Sequence, residues 1–232
     1  MIRPLLTAWL ALLTIAPAAL AAPSPLSARP DLGQPRPPAT ETARAVQQRY
    51  DRVTDFTADF THVYEGGVLK KKSTEHGTVQ IKKPGRMRWV YTVPEKKEFV
   101  SDGRMIYSYI PADKQVIVSP VPSEREATTA VLFLAGKGNL TRDFNVSYVE
   151  GGAPDTWSLR LEPKQKQRDY DWLVLEVDRE SFQIRGLTAA DQQGGRSTFV
   201  FTNYRENTGI PDSAFDFKIP KGTDVIKTGS GR

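Results

Sequence analysis

Two histidines and no cysteine set the chemical repertoire of this 232-residue chain. His62 lies in "DFTADFTHVY" and His76 in "KKKSTEHGTV". A metal centre needs ligands at a spacing such as H-E-x-x-H or paired thiolates, and neither histidine has such a neighbour. Ser101-Asp102-Gly103 sets a hydroxyl beside a carboxylate. A serine nucleophile also needs a positioned base and an oxyanion hole, whereas this tripeptide spells a turn. "AGKGN" and "GGRSTF" carry glycines without the spacing of a phosphate loop. Glu124 and Glu126 read as solvated acids of a helix start, and no carboxylate pair stands out as a glycosidase would require. The residues therefore point to a protein that is not an enzyme, with no cofactor and no metal.

Binding chemistry is the alternative. "KKPGRMRWVY", residues 82–91, mixes four cations with Trp89 and Tyr91. A nucleic-acid surface needs both on one face. Beyond Gly85, however, the residues alternate: Met87, Trp89, Tyr91 and Val93 share one parity, and Arg86, Arg88, Val90 and Thr92 the other. Rings and arginines therefore face opposite ways, and Arg86 and Arg88 are expected to face solvent or a partner. Lys70-Lys71-Lys72 fall on or beside a loop. No nucleic-acid partner is expected.

These rows must be held by strands. "DFTADFTHVY", "GTVQI", "RMRWVYTV", "KEFV", "MIYSYI" and "KQVIVS" follow one another with turns at Asp102-Gly103 and Pro111-Ala112-Asp113. "FNVSYV", "WSLRLEP", "WLVLEV", "FQIRGLTAA" and "STFVFTNY" repeat the habit, with Gly151-Gly152, Asp178-Arg179 and Gly194-Gly195 near turns. Sequential short strands predict an antiparallel meander rather than a doubly wound sheet. One helix precedes them: Thr40 can cap it, and Ala43, Val46, Tyr50 and Val53 form its apolar stripe. A second, "SEREATTAVLFLAGKGN", starts near Ser123 and ends near Gly136 or Gly138. With so many strands and two helices, either the sheet curls on itself or one face holds something else; a curled sheet's inward face is either a filled core or a ligand cavity.

The chain opens with Arg3, an apolar run from Leu5 to Ile15 and Ala19-Leu20-Ala21. This pattern reads as a secretory leader, residues 1–21, with cleavage expected before Ala22, and its apolar run is too short to span a bilayer. Its loss removes Arg3 and lowers the formal charge from +5 to +4, too modest to define a partner. Residues 22–40 are a Pro-rich linker, 41–226 a single domain and 227–232 a tail. With no cysteine, neither a lipidated N-terminus nor a disulfide is available.

Four motifs, in order, resemble the LolA family of periplasmic outer-membrane lipoprotein carriers. They are "FTADFTH", with His62 where the family has Gln; "GTVQIKKPGRMRWVYTVP"; "FVSDGRMIYSYIPADKQV"; and "FDFKIPKGTDVI". The resemblance implies a mostly β fold with helices, a strongly curved, incomplete antiparallel β-barrel covered by short α-helices. It implies a carrier that works in the periplasm as a monomer. Its cargo would be acylated lipoproteins, received from an inner-membrane ABC transporter and delivered to an outer-membrane receptor. Phe60, Met87, Trp89, Tyr91, Ile106 and Tyr109 would line the acyl-chain cavity. Ala130, Val131, Leu132, Phe133 and Leu134 would form the lid. Lys83 stands where the family has an arginine that latches the lid's carbonyls, and it lacks that side chain's planar fork. The competing expectations are a carrier or sensor of another lipid, and a structural or regulatory domain with a filled core.

Overall fold

A computed structural model describes residues 36–67, 71–121, 134–136, 138–167 and 170–228. The expected lid residues Ala130, Val131, Leu132 and Phe133 lie outside them, as do Ser123, Glu124 and Glu126.

Helix α1 spans Ala39–Asp51 and buries Thr42, Ala43, Val46 and Tyr50; Val53 is buried just beyond it. The expected cap at Thr40 is corrected. Pro38 occupies the N-cap position, its carbonyl accepts from Glu41 N at 2.8 Å and Thr42 N at 3.2 Å, and Thr40 lies inside the first turn. Proline has a locked φ and no N–H of its own, so it can end the extended chain without leaving a donor unpaired.

Among the described residues twelve strands follow: β1 (Asp55–Glu65), β2 (Lys72–Lys82), β3 (Arg86–Val93), β4 (Lys97–Asp102), β5 (Met105–Ile110), β6 (Gln115–Pro120), β7 (Phe144–Tyr148), β8 (Thr156–Pro163), β9 (Trp172–Asp178), β10 (Ile184–Ala190), β11 (Arg196–Glu206) and β12 (Asp224–Lys227). Between β6 and β7, helix α2 (Leu140–Asp143) is capped by Asn139, whose side chain accepts from Thr141 N at 3.1 Å and Arg142 N at 2.9 Å. A short 3-10 helix covers Asp212–Phe215.

The strands form one sheet in the order β12-β6-β5-β4-β3-β2-β1-β11-β10-β9-β8-β7. Two meanders, β1–β6 and β7–β11, meet where β1 pairs with β11. Strand β12 returns to pair with β6 in parallel. The end strands of the order, β12 and β7, are not paired with each other, so the barrel stays open.

Period-two burial decides which residues face inward. On the β7–β11 half, Leu159, Leu161, Leu173, Leu175 and Leu187 are buried in one cluster with Ala43, Val46 and Tyr50 of α1, which packs on β7 and α2. Thr42 Oγ1 and Tyr148 Oη are 2.6 Å apart, and Leu140 N donates to Gln47 Oε1 at 2.9 Å.

The outer face of β2–β5 is covered by the chain's own C-terminal segment. Arg88 donates to the Asp216 carbonyl at 2.8 Å, Arg86 pairs with Asp212 at 3.3 Å, and Lys82 pairs with Asp212 at 2.6 Å. Arg86 and Arg88 thus face away from the rings, as the alternation predicts, and they hold this segment.

Candidate functional site

Met87, Trp89 and Tyr91 form the centre of the inner wall and are 5%, 2% and 6% exposed. Register carries the row across the sheet: Trp89 stands opposite Val79 and Phe99, and Tyr91 opposite Gly77 and Lys97. Phe60 leans into the same row, with ring centroids 5.1 Å from Trp89, 4.8 Å from Tyr91 and 6.0 Å from Phe199. Each edge-to-face pair adds about 0.5–1.5 kcal/mol beyond burial. Gly77 makes room for this cluster. A Cβ there would run into the Val90 carbonyl oxygen and fall 2.7 Å from the Phe60 ring.

Toward β6 the wall becomes more open. Phe99 pairs with Ser108, Ser101 with Ile106, and Ser108 with Ile117, which puts Ile106 and Ile117 on the inner face. All these side chains but Ser101 are half-buried. Of the six residues expected to line a cavity, the structure brings Phe60, Met87, Trp89, Tyr91 and Ile106 to one face. Tyr109 is placed on the other. It pairs with Glu98 and Val116, and its ring lies 6.0 Å from Phe217 on the outer surface; Tyr107 stacks on the same ring at 5.3 Å. Strand β5 carries large apolar or aromatic residues on both faces, so its composition could not tell the two rows apart.

The end of the expected lid is fixed at one end of this wall. Leu134 and Ala135 are fully buried. The Tyr50 hydroxyl donates to the Leu134 carbonyl, and Gly85 N donates to the Ala135 carbonyl at 2.8 Å. Lys83, expected to bond the lid's carbonyls, donates to the Tyr50 carbonyl at the end of α1, with its ammonium 4.3 Å from the Tyr50 ring centre; the carbonyls of residues 130–133 lie outside the described residues. Its stem lies against Gly136, where a Cβ would come 2.7 Å from Lys83 Cδ. Among the described residues Lys83 therefore braces α1, and α1 holds the lid's end. Burial lowers the Lys83 pKa, although the carboxylates of Asp51 and Glu206 oppose that shift. Burial, helped by Tyr204 and Glu206, pushes the Tyr50 phenol well above its usual range and keeps it a donor.

The candidate chemical residues have structural duties. Ser101 is buried and donates to the Gly85 carbonyl at 2.8 Å while accepting from Gly103 N at 3.2 Å. Asp102 closes the turn by accepting from Arg104 N and Met105 N at 2.7 Å each. Gly103 has φ +95°, which suits glycine there. Among the described residues no group of three or more His, Asp or Glu side chains could hold a metal, and no helix is long and apolar enough to cross a membrane.

Sequence reasoning missed Tyr50 and Gly85 as holders of the lid's end. It also missed one polar group in the inner wall. His62 Nδ1 lies 3.0 Å from Glu75 Oε2, its Nε2 lies 3.1 Å from Ser197 Oγ, and its ring stacks on Phe199 at 4.2 Å. Lys97 donates to Glu75 Oε1 at 2.6 Å over the Tyr91 ring. Burial lowers the His62 pKa against the raising influence of Glu75. Burial also works to raise the Glu75 pKa, but bonds from Lys97 and His62 outweigh it and hold the carboxyl low. Counting by twos from Val79 through Gly77 to Glu75 was the available signal.

Fold and site define a class: an open half-barrel whose apolar inner wall is closed off by a helix and by the end of a mid-chain segment. The family described as "Outer membrane lipoprotein carrier protein LolA" matches residues 51–218. The chain belongs to that family. It is 31% identical over 180 residues to an outer-membrane lipoprotein carrier protein of Chromohalobacter salexigens, covering 77% of this chain and 83% of that one. It is 29% identical over 193 residues to the corresponding protein of Azotobacter vinelandii, covering 82% and 91%. A solved structure of an uncharacterized conserved protein from Thermus thermophilus shares the fold, with a TM-score of 0.51 and 14% identity over 82% of this chain and 98% of that one.

Proposed function

We propose that this protein carries outer-membrane lipoproteins through the periplasm, holding their acyl chains on the inner wall of the half-barrel. It receives them from an inner-membrane ABC transporter and hands them to an outer-membrane receptor. The carrier itself acts without catalysis. The observation that carries this reading is the gradient along the wall, from buried Trp89 to half-buried Phe99, Ile106 and Ile117. A filled core would seal all of them, as it seals the leucines of β8–β10. The leader at residues 1–21 supports export, and the family membership supports the cargo.

Magnitudes fit a carrier. Each buried methylene contributes about 0.8 kcal/mol, so one long acyl chain outweighs several interactions at once. Each bond at the lid's end, Tyr50 to Leu134 and Gly85 to Ala135, contributes only about 1 kcal/mol net. Cargo can therefore open the site, while the empty protein keeps it shut.

The test is to purify the protein from the periplasm of its native host and to identify co-eluting acylated material by mass spectrometry. Intact lipoproteins are the expected result. Protein that stays empty after competent loading would overturn the reading.

A further inference from the structure

The inner wall is largely apolar, with the small hydroxyls of Ser101 and Ser108, and among the described residues His62, Glu75 and Lys97 form an ionisable cluster in it. Their side chains are 12%, 14% and 25% exposed. Removing three ionisable groups this far from water costs several kcal/mol unless each is paired. Both Glu75 oxygens are engaged, one by His62 and one by Lys97. Lys97 is not fully used. An ammonium has three donors, and among the described residues its one acceptor is Glu75. Trp89, one inward position along β3 from Tyr91, has a buried Nε1 with no partner among the described residues. Lys97 and Trp89 thus carry donors that no described side chain accepts.

Charge narrows what could accept from them. Lys97 and Glu75 compensate each other, and burial favours the neutral form of His62. A net-neutral cluster suits a neutral acceptor, since an anion bound to Lys97 would also face the Glu75 carboxylate. Among the parts of an acylated cargo, the methylenes have no acceptor and the ester carbonyl does. From Tyr91 to Met87 the wall runs four residues, about 13 Å, toward the lid's end, with only apolar side chains on the inner face of β3.

Resting on the carrier reading above, we propose that the Lys97–Glu75–His62 cluster receives the ester carbonyl at the head of a bound acyl chain, with Lys97 as donor. The methylenes then lie over Tyr91, Trp89 and Phe99 toward Met87 and Ile106. Glu75 and His62 hold the ammonium in place and limit how far an acyl chain can slide. Lys97 is thereby a specificity residue that fixes the position of cargo.

The test compares palmitoylglycerol with its ether analogue, hexadecylglycerol, which lacks the carbonyl. Each displaces an apolar fluorescent dye from protein purified from its native host, and palmitic acid serves as the anionic comparison. The expected result is an ester preference of about tenfold, abolished in Lys97→Met with affinity for the ether unchanged. Lys97→Met/Glu75→Gln leaves no unpaired charge and should also lose the preference, which guards against misfolding of the single variant; circular dichroism checks both. Equal binding of ester and ether by the native protein overturns the proposal, as does equal weakening of both by Lys97→Met. A preference for palmitic acid over the ester, lost with Lys97, overturns it in favour of an anion site. If the ether itself does not displace dye, the carrier reading fails with it, because the ether reports chain binding alone.

Discussion

The Tyr50 hydroxyl donates to the Leu134 carbonyl, so the last turn of the first helix holds the end of the mid-chain segment. Lys83 stands behind this contact, donating to the carbonyl of Tyr50 itself. Among the described residues the lysine thus braces the helix whose Tyr50 bonds Leu134. Tyr50→Phe removes the donor and leaves the Leu134 carbonyl unpaired. The expected cost is about 1–3 kcal/mol in urea unfolding. Faster uptake of an apolar dye should accompany it, and unchanged uptake would show that this bond does not hold the site closed.

Ile106 and Tyr109 separate the two faces of one strand. Ile106→Glu places a carboxylate on the inner wall and should weaken binding of an apolar dye at least about tenfold. Tyr109→Glu removes a ring from the outer face beside Phe217. It should lower the unfolding midpoint and leave dye affinity within about twofold. Dye displacement at matched fractions folded distinguishes the two, and the opposite pattern would mean that the register places the cavity on the wrong side.

Stability should depend on pH through His62. Its folded pKa is lowered, chiefly by burial, whereas the unfolded chain takes up the proton near about 6.5. Below that value and above the folded pKa, the unfolded state binds more protons, so stability falls as pH falls. Urea midpoints at about pH 7 and about pH 5 should show the decline, and His62→Gln should flatten it. A slope unchanged in the variant would assign it to other groups.

Gly77→Ala tests the aromatic cluster without touching any polar side chain. The added methyl meets both the Val90 carbonyl and the Phe60 ring, so β2 and β3 must part and the ring must give way as well. Destabilisation of about 2 kcal/mol or more is expected, with a changed near-ultraviolet circular dichroism spectrum. A variant as stable as the native protein would show that the strands can adjust there.

Alternation made the strands legible, because a residue pair such as Trp89 and Arg88 differs in both polarity and face. Many such runs with too few helices to cover them made a curled sheet one of two solutions, and its open barrel was expected only from the family resemblance. Strand β12 was missed as a strand, since its four residues have exposed side chains and its pairing with β6 is parallel and distant in sequence. The shared face of Met87, Trp89 and Tyr91 was readable from the same alternation, whereas Ile106 was named only through the family resemblance. The face of Tyr109 was not readable, because Tyr107 and Tyr109 meet Phe217, and nothing local to β5 announces that partner. Lys83 was found by its motif, but its acceptor depends on where α1 ends. Arg86 and Arg88 faced outward as expected, yet the carbonyl and carboxylate that receive them lie in a segment far along the chain.

Pairing of β1 with β11, where Phe56 stands opposite Glu206, has a kinetic consequence. Each meander is built from neighbouring hairpins and needs only short loops to close. Their seam joins strands near opposite ends of the domain, and a contact so remote in sequence is slow to find. The half-barrel can therefore close only once β11 is free to reach β1. A chain threaded through a membrane from its N-terminus cannot complete this seam until almost all of the domain has emerged on the far side.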